Sequence, residues 1–261
     1  MLAVDIGNSR VKVADYAPDG SRSFKSSFTL PRRASIDDCA AALKQLYLLY
    51  GKTPYIDGAA ISSVVPTLTP SFYGALEKHF GVTPLVIGPG VKTGLNIRVE
   101  NAASVGADIV IGAVGALSEF RPPLLIINMG TATTFTGIDS DAMMIGVSIM
   151  PGLLMGLDAL AEKASELSPV ALGRVKSPFG RNTVEAMNSG AILGAAGAVD
   201  GYIDIAAEAL LKPGAAAGTA VTAVLTGGCA KFVAPYLKNK AEFRESLCLD
   251  GLWRIWKNNQ N

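Results

Sequence analysis

The segment Val4-Asp5-Ile6-Gly7-Asn8-Ser9 ends a short apolar run, and a kindred segment, Ile127-Asn128-Met129-Gly130-Thr131-Ala132, ends another 123 positions later. An acid or amide, one spacer, a glycine and a small polar residue at a strand end make a tight turn with bare backbone N–H groups, a concavity that suits phosphate. A single such turn is also an ordinary hairpin signal, because Gly and Asn are common wherever positive φ is needed. Two copies, with a third small-residue turn at Thr226-Gly227-Gly228, are a stronger constraint. They point to a duplication, with phosphates and adenosine received between two similar domains.

The chain has 261 residues, 49% hydrophobic and 17% charged, enough for one large core or two modest ones. A net charge of +1 with scattered basic residues gives no electrostatic footprint for nucleic acid or an anionic membrane. The expected partner is a small polar ligand. Cys39, Cys229 and Cys248 are odd in number and lack metal-ligand spacing, which argues against a disulfide framework and against a zinc site. A reducing cytoplasm and no signal peptide are expected, since Asp5 interrupts the first apolar segment. The uncharged stretches 122–138, 142–157 and 214–230 are broken by Gly, Pro or Thr and read as buried strands and turns, not membrane spans.

Along the chain, 2–7 and 11–17 read as a hairpin and 24–30 as a third strand. Ser35-Ile36-Asp37-Asp38 caps a helix reaching about residue 50, and a strand at 58–65, a helix at 70–80 and a strand at 84–87 follow. The second half opens with a helix at 102–120, then strands at 124–129, 133–138 and 143–149 and a helix at 152–167. A long helix at 182–211, a strand at 221–226, a helix after Gly228 and a Leu-rich final segment complete it. This order predicts two α/β domains with mixed sheets, joined near residue 101 and closing on a cleft.

Several residues carry two readings. Asp108, followed by Ile109, Val110 and Ile111, is either an exposed helix acid or a partly desolvated general base for a substrate hydroxyl. Gly180-Arg181-Asn182-Thr183 is either a helix N-cap or a polar substrate contact at a helix N-terminus. Gly190, Gly194, Gly197 and Gly201 lie mostly at helical spacing, a pattern of close helix packing or of a dimer interface. Met143, Met144, Met150 and Met155 read as core, and the single histidine, His79, as a surface residue. Gly88-Pro89-Gly90 misses the dinucleotide fingerprint, and there is no P-loop.

Taken in order over nearly the whole chain, Asp5 to Ser9, Ile61-Ser62-Ser63-Val64-Val65-Pro66, Asn101 to Asp108, Gly130-Thr131-Ala132-Thr133-Thr134, Pro151-Gly152, Gly180 to Thr183, Ser189-Gly190 and Thr226-Gly227-Gly228 resemble the motifs of type III pantothenate kinases. That family lies in the superfamily of acetate kinases, sugar kinases, Hsp70 and actin. The resemblance implies two duplicated ribonuclease H-like, actin-like domains with mixed sheets flanking a nucleotide cleft, at 1–101 and 102–261. It implies a cytoplasmic homodimer that moves the γ-phosphoryl of ATP to the primary alcohol of pantothenate, the first step of coenzyme A synthesis.

By the same likeness, Asp5, Ile6, Gly7, Asn8, Ser9, Arg10, Val11 and Lys12, with Gly130, Thr131, Gly227 and Gly228, hold ATP. Asp5 lies near the phosphates and Mg²⁺ or another divalent cation. Asp108 matches the catalytic base. Val99, Gly106, Ala107, Asp108, Ile109 and Thr183 match substrate-binding positions, and Asn128 matches the ligand of a K⁺ or NH₄⁺ ion.

The chain departs from the family pattern where Ile109 replaces an Arg, Asn128 an Asp, Val99 a Tyr and Ala102 a Pro. A hydrogen bond to a charged group is worth about 1.5–3 kcal/mol, or about ten- to a hundredfold in binding or rate, so Ile109 alone can impair transfer. Asn128 keeps one carbonyl ligand without the charge that favours a cation. Beside the kinase reading stand a catalytically impaired paralogue that binds nucleotide or metabolite as a regulator, and a kinase for a different small alcohol.

Overall fold

Strand β1 (Leu2–Ile6) is buried along its whole length and organises the first sheet. It pairs antiparallel with β2 (Val11–Tyr16), which pairs with β3 (Arg22–Phe28), and parallel with β4 (Ala59–Ser63), which pairs with β5 (Leu85–Val86). The order is β3-β2-β1-β4-β5. Leu2, Val4, Ile6, Val13 and Ile61 share one face and form a core with Leu43 and Tyr47 of helix α1 (Ile36–Leu49) and Phe72 and Leu76 of α2 (Thr69–Phe80). Ser35 caps α1 in a reciprocal capping box with Asp38. His79 reaches back from α2 to Asp37 of α1, Nε2 to Oδ1 at 2.8 Å.

The opposite face of this sheet carries a row of small residues, Ala14, Ala3 and Ala60, in register. Small side chains allow a helix close approach, and α7 (Leu247–Asn258) packs on β1, β2 and β4. Helix α3 (Ala107–Glu119) locks onto α7 through glycines. A methyl added at Gly115 would collide with the Leu247 carbonyl, and one at Gly251 with the Ile111 carbonyl.

The second sheet repeats the plan. Its strands are β6 (Asn96–Ile97), β7 (Leu124–Met129), β8 (Ala132–Ile138), β9 (Met143–Pro151), β10 (Thr222–Thr226) and β11 (Glu242–Phe243), in the order β11-β10-β7-β8-β9-β6. Read from β9 to β11 it has the first sheet's topology, with an antiparallel β7-β8-β9 meander and parallel β10 and β11. Leu125, Ile127, Met129 and Leu225 form its core with Ile192, Ala196 and Val199 of α5 (Thr183–Ala209) and Leu153 of α4 (Leu153–Lys163). A short helix α6 (Ala230–Val233) follows the Thr226-Gly227-Gly228 turn.

The computed structural model describes residues 1–211 and 220–260, so the start of the expected 214–230 stretch lies outside the described residues. The chain divides into two compact units, Met1–Leu95 with Asn101–Ser118 and Leu247–Asn261, and Asn96–Glu100 with Glu119–Ser246. This differs from the contiguous 1–101 and 102–261 division, because the α3–α7 pair folds onto the first sheet. The helix expected from 102 is a 3₁₀ turn (Ala102–Ser104) and then α3, broken at an extended Val105. Helix α4 ends at Lys163 rather than near 167, and β6 and β11, of two residues each, were too short to show periodicity. Met155 is 45% exposed and does not belong to the core.

Among the described residues one helix, α5, is long and apolar enough to cross a membrane by length and composition. It is tied into the second unit by polar side chains. Asp200 accepts from the backbone N–H groups of Lys238 and Asn239, and Asn188 bonds to Gly173 and Ala171. The expected packing of its glycines is not found among the described residues, where a methyl at Gly190, Gly194, Gly197 or Gly201 would meet nothing within 4 Å.

Candidate active site

In the first unit the site is built on strand register. Lys12 on β2 and Ser62 on β4 stand directly across from Asp5, so the three lie side by side on one sheet face, two residues beyond the alanine row. Ser62 Oγ donates to Asp5 Oδ1 at 3.2 Å. Asp5 is only 7% exposed, and burial pushes its carboxyl up to about 6. The Lys12 charge opposes that shift, the negative charge of Asp108 adds to it, and the Ser62 bond opposes it. Beyond Asp5 the chain turns through exposed Asn8, Ser9 and Arg10, closed by Gly7 N–H donating to the Arg10 carbonyl at 3.0 Å.

Asp108 lies in the first turn of α3. Burial holds its carboxyl above the usual range, against the backbone N–H groups of Ile109 and Asp108 and the charge of Lys12. Gly106 makes room for it, because a methyl there would come within 2.6 Å of Asp108 Oδ1 and 3.7 Å of Ile109 Cδ1. The side chains of 108 and 109 thus flank the same glycine. Cys248, in the first turn of α7, points its thiol at the Asp108 carbonyl at 4.0 Å, and burial pushes that thiol up to about 12. Asp5, Lys12 and Asp108 are therefore brought together, with a hydroxyl donor and a cation beside two desolvated carboxylates. A base that must take a proton at neutral pH has that environment.

In the second unit three backbone segments converge on the end of β7. Gly130 N–H donates to the Ala132 carbonyl at 3.1 Å, and Gly152 N–H to the Thr131 carbonyl at 3.1 Å. A methyl at Gly152 would collide with the Gly130 and Thr131 carbonyls. Gly227 has φ +98°, and a methyl there would lie 2.5 Å from the Met129 backbone. Gly152 thus packs on the Gly130-Thr131 backbone and Gly227 on that of Met129, while a methyl at Gly228 would meet nothing within 4 Å. Asn128 stands between Thr134 and Thr226 in register, so Lys12-Asp5-Ser62 of the first sheet is answered by an uncharged Thr134-Asn128-Thr226 row. Asn128 Oδ1 is buried without a hydrogen-bond partner.

Thr183 opens α5, whose N-cap is Asn182, accepting from Glu185 N–H at 2.9 Å. An open groove of about 590 Å³ passes it, with Leu160, Leu167 and Met187 as apolar wall and Arg181, Asn182 and Thr183 as polar wall. Val99 follows β6 and is not among the residues lining this groove. The predicted substrate set is accordingly distributed, with Gly106, Ala107, Asp108 and Ile109 in the first unit and Val99 and Thr183 in the second. Sequence reading gave no site role to Ser62, Cys248 or Gly152. Ser62 and Gly152 lie in segments that carry the family resemblance, but their places beside Asp5 and Thr131 depend on strand pairing and turn geometry, and Cys248 had no local signal.

A duplicated α/β scaffold with a glycine turn at the end of each leading strand defines the actin-like fold class. Solved structures agree on the fold. A Campylobacter jejuni protein assigned to the Baf family of transcriptional activators superposes with a TM-score of 0.59 at 18% identity, over 99% of this chain and 98% of that one. The Clostridium difficile activator of 2-hydroxyisocaproyl-CoA dehydratase, solved with bound ADPNP, gives 0.56 at 10% identity, over 100% and 98%.

Within that class the chain belongs to the type III pantothenate kinase family, whose family model matches residues 1–205. A type III pantothenate kinase of Anaeromyxobacter sp. (strain Fw109-5) is 36% identical over 261 residues, covering all of both chains. That of Geobacter sulfurreducens is 34% identical over 266 residues, covering 100% of this chain and 99% of its own.

Proposed function

We propose that this protein phosphorylates pantothenate with ATP, giving ADP and 4′-phosphopantothenate, the entry step of coenzyme A synthesis. The observation that carries the reading is the desolvated Asp108 beside Asp5 and Lys12, within a family match that spans the chain. Phosphoryl transfer needs mainly positioning and charge neutralisation. Asp5 to Lys12, Gly130, Thr131, Gly227 and Gly228 hold ATP, Gly106 to Ile109, Val99 and Thr183 receive the alcohol, and the Asp108 carboxylate accepts its proton. The fit for Mg²⁺ is the Asp5 carboxylate, buried at a strand end with Lys12 and Ser62 beside it. A divalent ion bound with the nucleotide would have the Asp5 carboxylate near it and would supply charge neutralisation.

A K⁺ or NH₄⁺ ion would meet one neutral carbonyl oxygen at Asn128, between two threonines and without a carboxylate, so monovalent-cation dependence is weak here. The exposed glycine ridge of α5 fits a second copy of the chain, and the functional form is a homodimer. The three cysteines are buried and unpaired, in keeping with a cytoplasmic location.

The test is ADP release with pantothenate and with a panel of hydroxylated metabolites, in K⁺ and in tetramethylammonium, for wild type and Asn128→Asp. Pantothenate-dependent release that is insensitive to K⁺ in wild type and K⁺-stimulated in Asn128→Asp is expected. Release with another alcohol alone favours the altered-acceptor reading. Tight ATP binding without turnover favours the regulator reading, to which the likeness to the Campylobacter jejuni protein adds only a shared fold.

A further inference from the structure

Every residue from Val105 to Ile109 is half-buried, and the Asp108 carboxylate is the segment's one polar side chain, set among the hydrocarbon of Val105, Ala107 and Ile109 and a bare Gly106. Asp108 Oδ1 lies 2.6 Å, and Ile109 Cδ1 3.7 Å, from the point where a Gly106 methyl would stand. The carboxylate oxygen and the isoleucine methyl are therefore side by side over one glycine. A polar ligand at a helix N-terminus would ordinarily use the first backbone N–H groups. Here those of Asp108 and Ile109 are turned to the Asp108 carboxylate itself, and those of Ile109 and Val110 also donate to the Gly106 carbonyl at 3.0 and 3.2 Å. A hydroxyl on the carbon next to a reacting alcohol would thus lose water against hydrocarbon, whereas a methyl at that carbon would gain a contact.

We infer that Ile109 is a specificity-determining residue for the acceptor: it packs on the carbon next to the reacting hydroxymethyl group and selects a primary alcohol carried on a branched hydrocarbon centre over a polyol. The inference rests on the kinase reading above and deepens it, because pantothenate carries its primary alcohol on a carbon that bears two methyl groups. In the step itself the acceptor hydroxyl oxygen forms the new bond to the γ-phosphorus and gives its proton to the Asp108 carboxylate. The bond from that phosphorus to the β–γ bridging oxygen breaks, with its electron pair leaving on ADP. Ile109 forms and breaks no bond; it sets which alcohol is held against the Asp108 carboxylate. A side chain that only filled the first turn of α3 would affect every acceptor alike, whereas this role depends on the methyl groups beside the alcohol.

Steady-state kinetics with pantothenate and with its analogue lacking both methyl groups, on wild type, Ile109→Val and Ile109→Ala, separate the two. Each buried methyl is worth about fourfold, so wild type favours pantothenate over the analogue by about tenfold or more in kcat/KM. Ile109→Val keeps most of that ratio. Ile109→Ala reduces it to about threefold or less, while kcat/KM for the analogue changes by less than about threefold. A wild-type ratio below about threefold, a ratio unchanged in Ile109→Ala, or an equal loss with both alcohols overturns the inference. If wild type phosphorylates neither alcohol, the kinase reading falls, and calorimetric binding of the two alcohols in the presence of ADP and Mg²⁺ then decides on Ile109. A preference for the methylated alcohol that Ile109→Ala removes keeps the acceptor contact, and equal affinities, or binding of neither, overturn it.

Discussion

At the residue scale, Asp5 is a carboxylate held where a carboxylate is costly. Its folded pKa of about 6 lies above the 3.8 of a free aspartate, so between those values the folded chain binds more protons than the unfolded one. The stabilising contribution is full below about pH 4 and is lost as pH rises through 6, leaving a cost on the order of 3 kcal/mol at neutral pH. Asp5→Asn is therefore expected to raise the melting temperature at pH 7.5, to change it little at pH 4, and to weaken ATP·Mg²⁺ binding, as read by thermal denaturation and calorimetry. For the same reason nucleotide binding by wild type should fall as pH drops through 6. Asp5 stands out in the sequence because it interrupts an apolar run, whereas the run after Asp108 suits an exposed helix acid equally well and only the family resemblance singles it out. Ser62 became a site residue only once β4 was known to lie parallel to β1 with Asp5 opposite it, a long-range pairing that local pattern does not encode.

At the element scale, most helices and strands follow from caps and periodicity, as with Ser35 at α1 and Asn182 at α5. The exceptions sit where tertiary contact overrides propensity. The helix expected from 102 starts instead at Ala107, because the chain is extended at Val105 after the 3₁₀ turn, and Gly106 leaves room for the Asp108 carboxylate. Gly115 and Gly251 look like weak helix residues in sequence, yet each removes a side chain that would strike a carbonyl of the facing helix. Gly251→Ala should therefore cost several kcal/mol by overpacking, above the gain in helix propensity of about 1 kcal/mol. Urea denaturation of the variant checks this, and a stability equal to or above wild type would refute the backbone-to-backbone contact.

At the scale of the whole molecule, the duplication read from two turns extends to a five-strand order common to both sheets, with β6 added at the edge of the second, but the units interleave along the chain instead of dividing it at 101. What the sequence could not show is which helices return to which sheet, since that depends on the α3–α7 contact. The two copies have diverged in charge, Lys12-Asp5-Ser62 against Thr134-Asn128-Thr226. If the glycine ridge of α5 meets a second copy, sedimentation should give twice the 27.0 kDa chain mass, and Gly194→Glu should give monomer; a wild-type monomer at micromolar concentration would remove the dimer. The central claim is that Asp5, Lys12 and Asp108 form a working transfer site despite Ile109. Its most direct test is ³¹P NMR of purified protein with ATP, Mg²⁺ and pantothenate. The expected result is a 4′-phosphopantothenate resonance growing with ADP in wild type and reduced by at least about a hundredfold in Asp108→Asn, whereas no such resonance in wild type under any monovalent salt would contradict it.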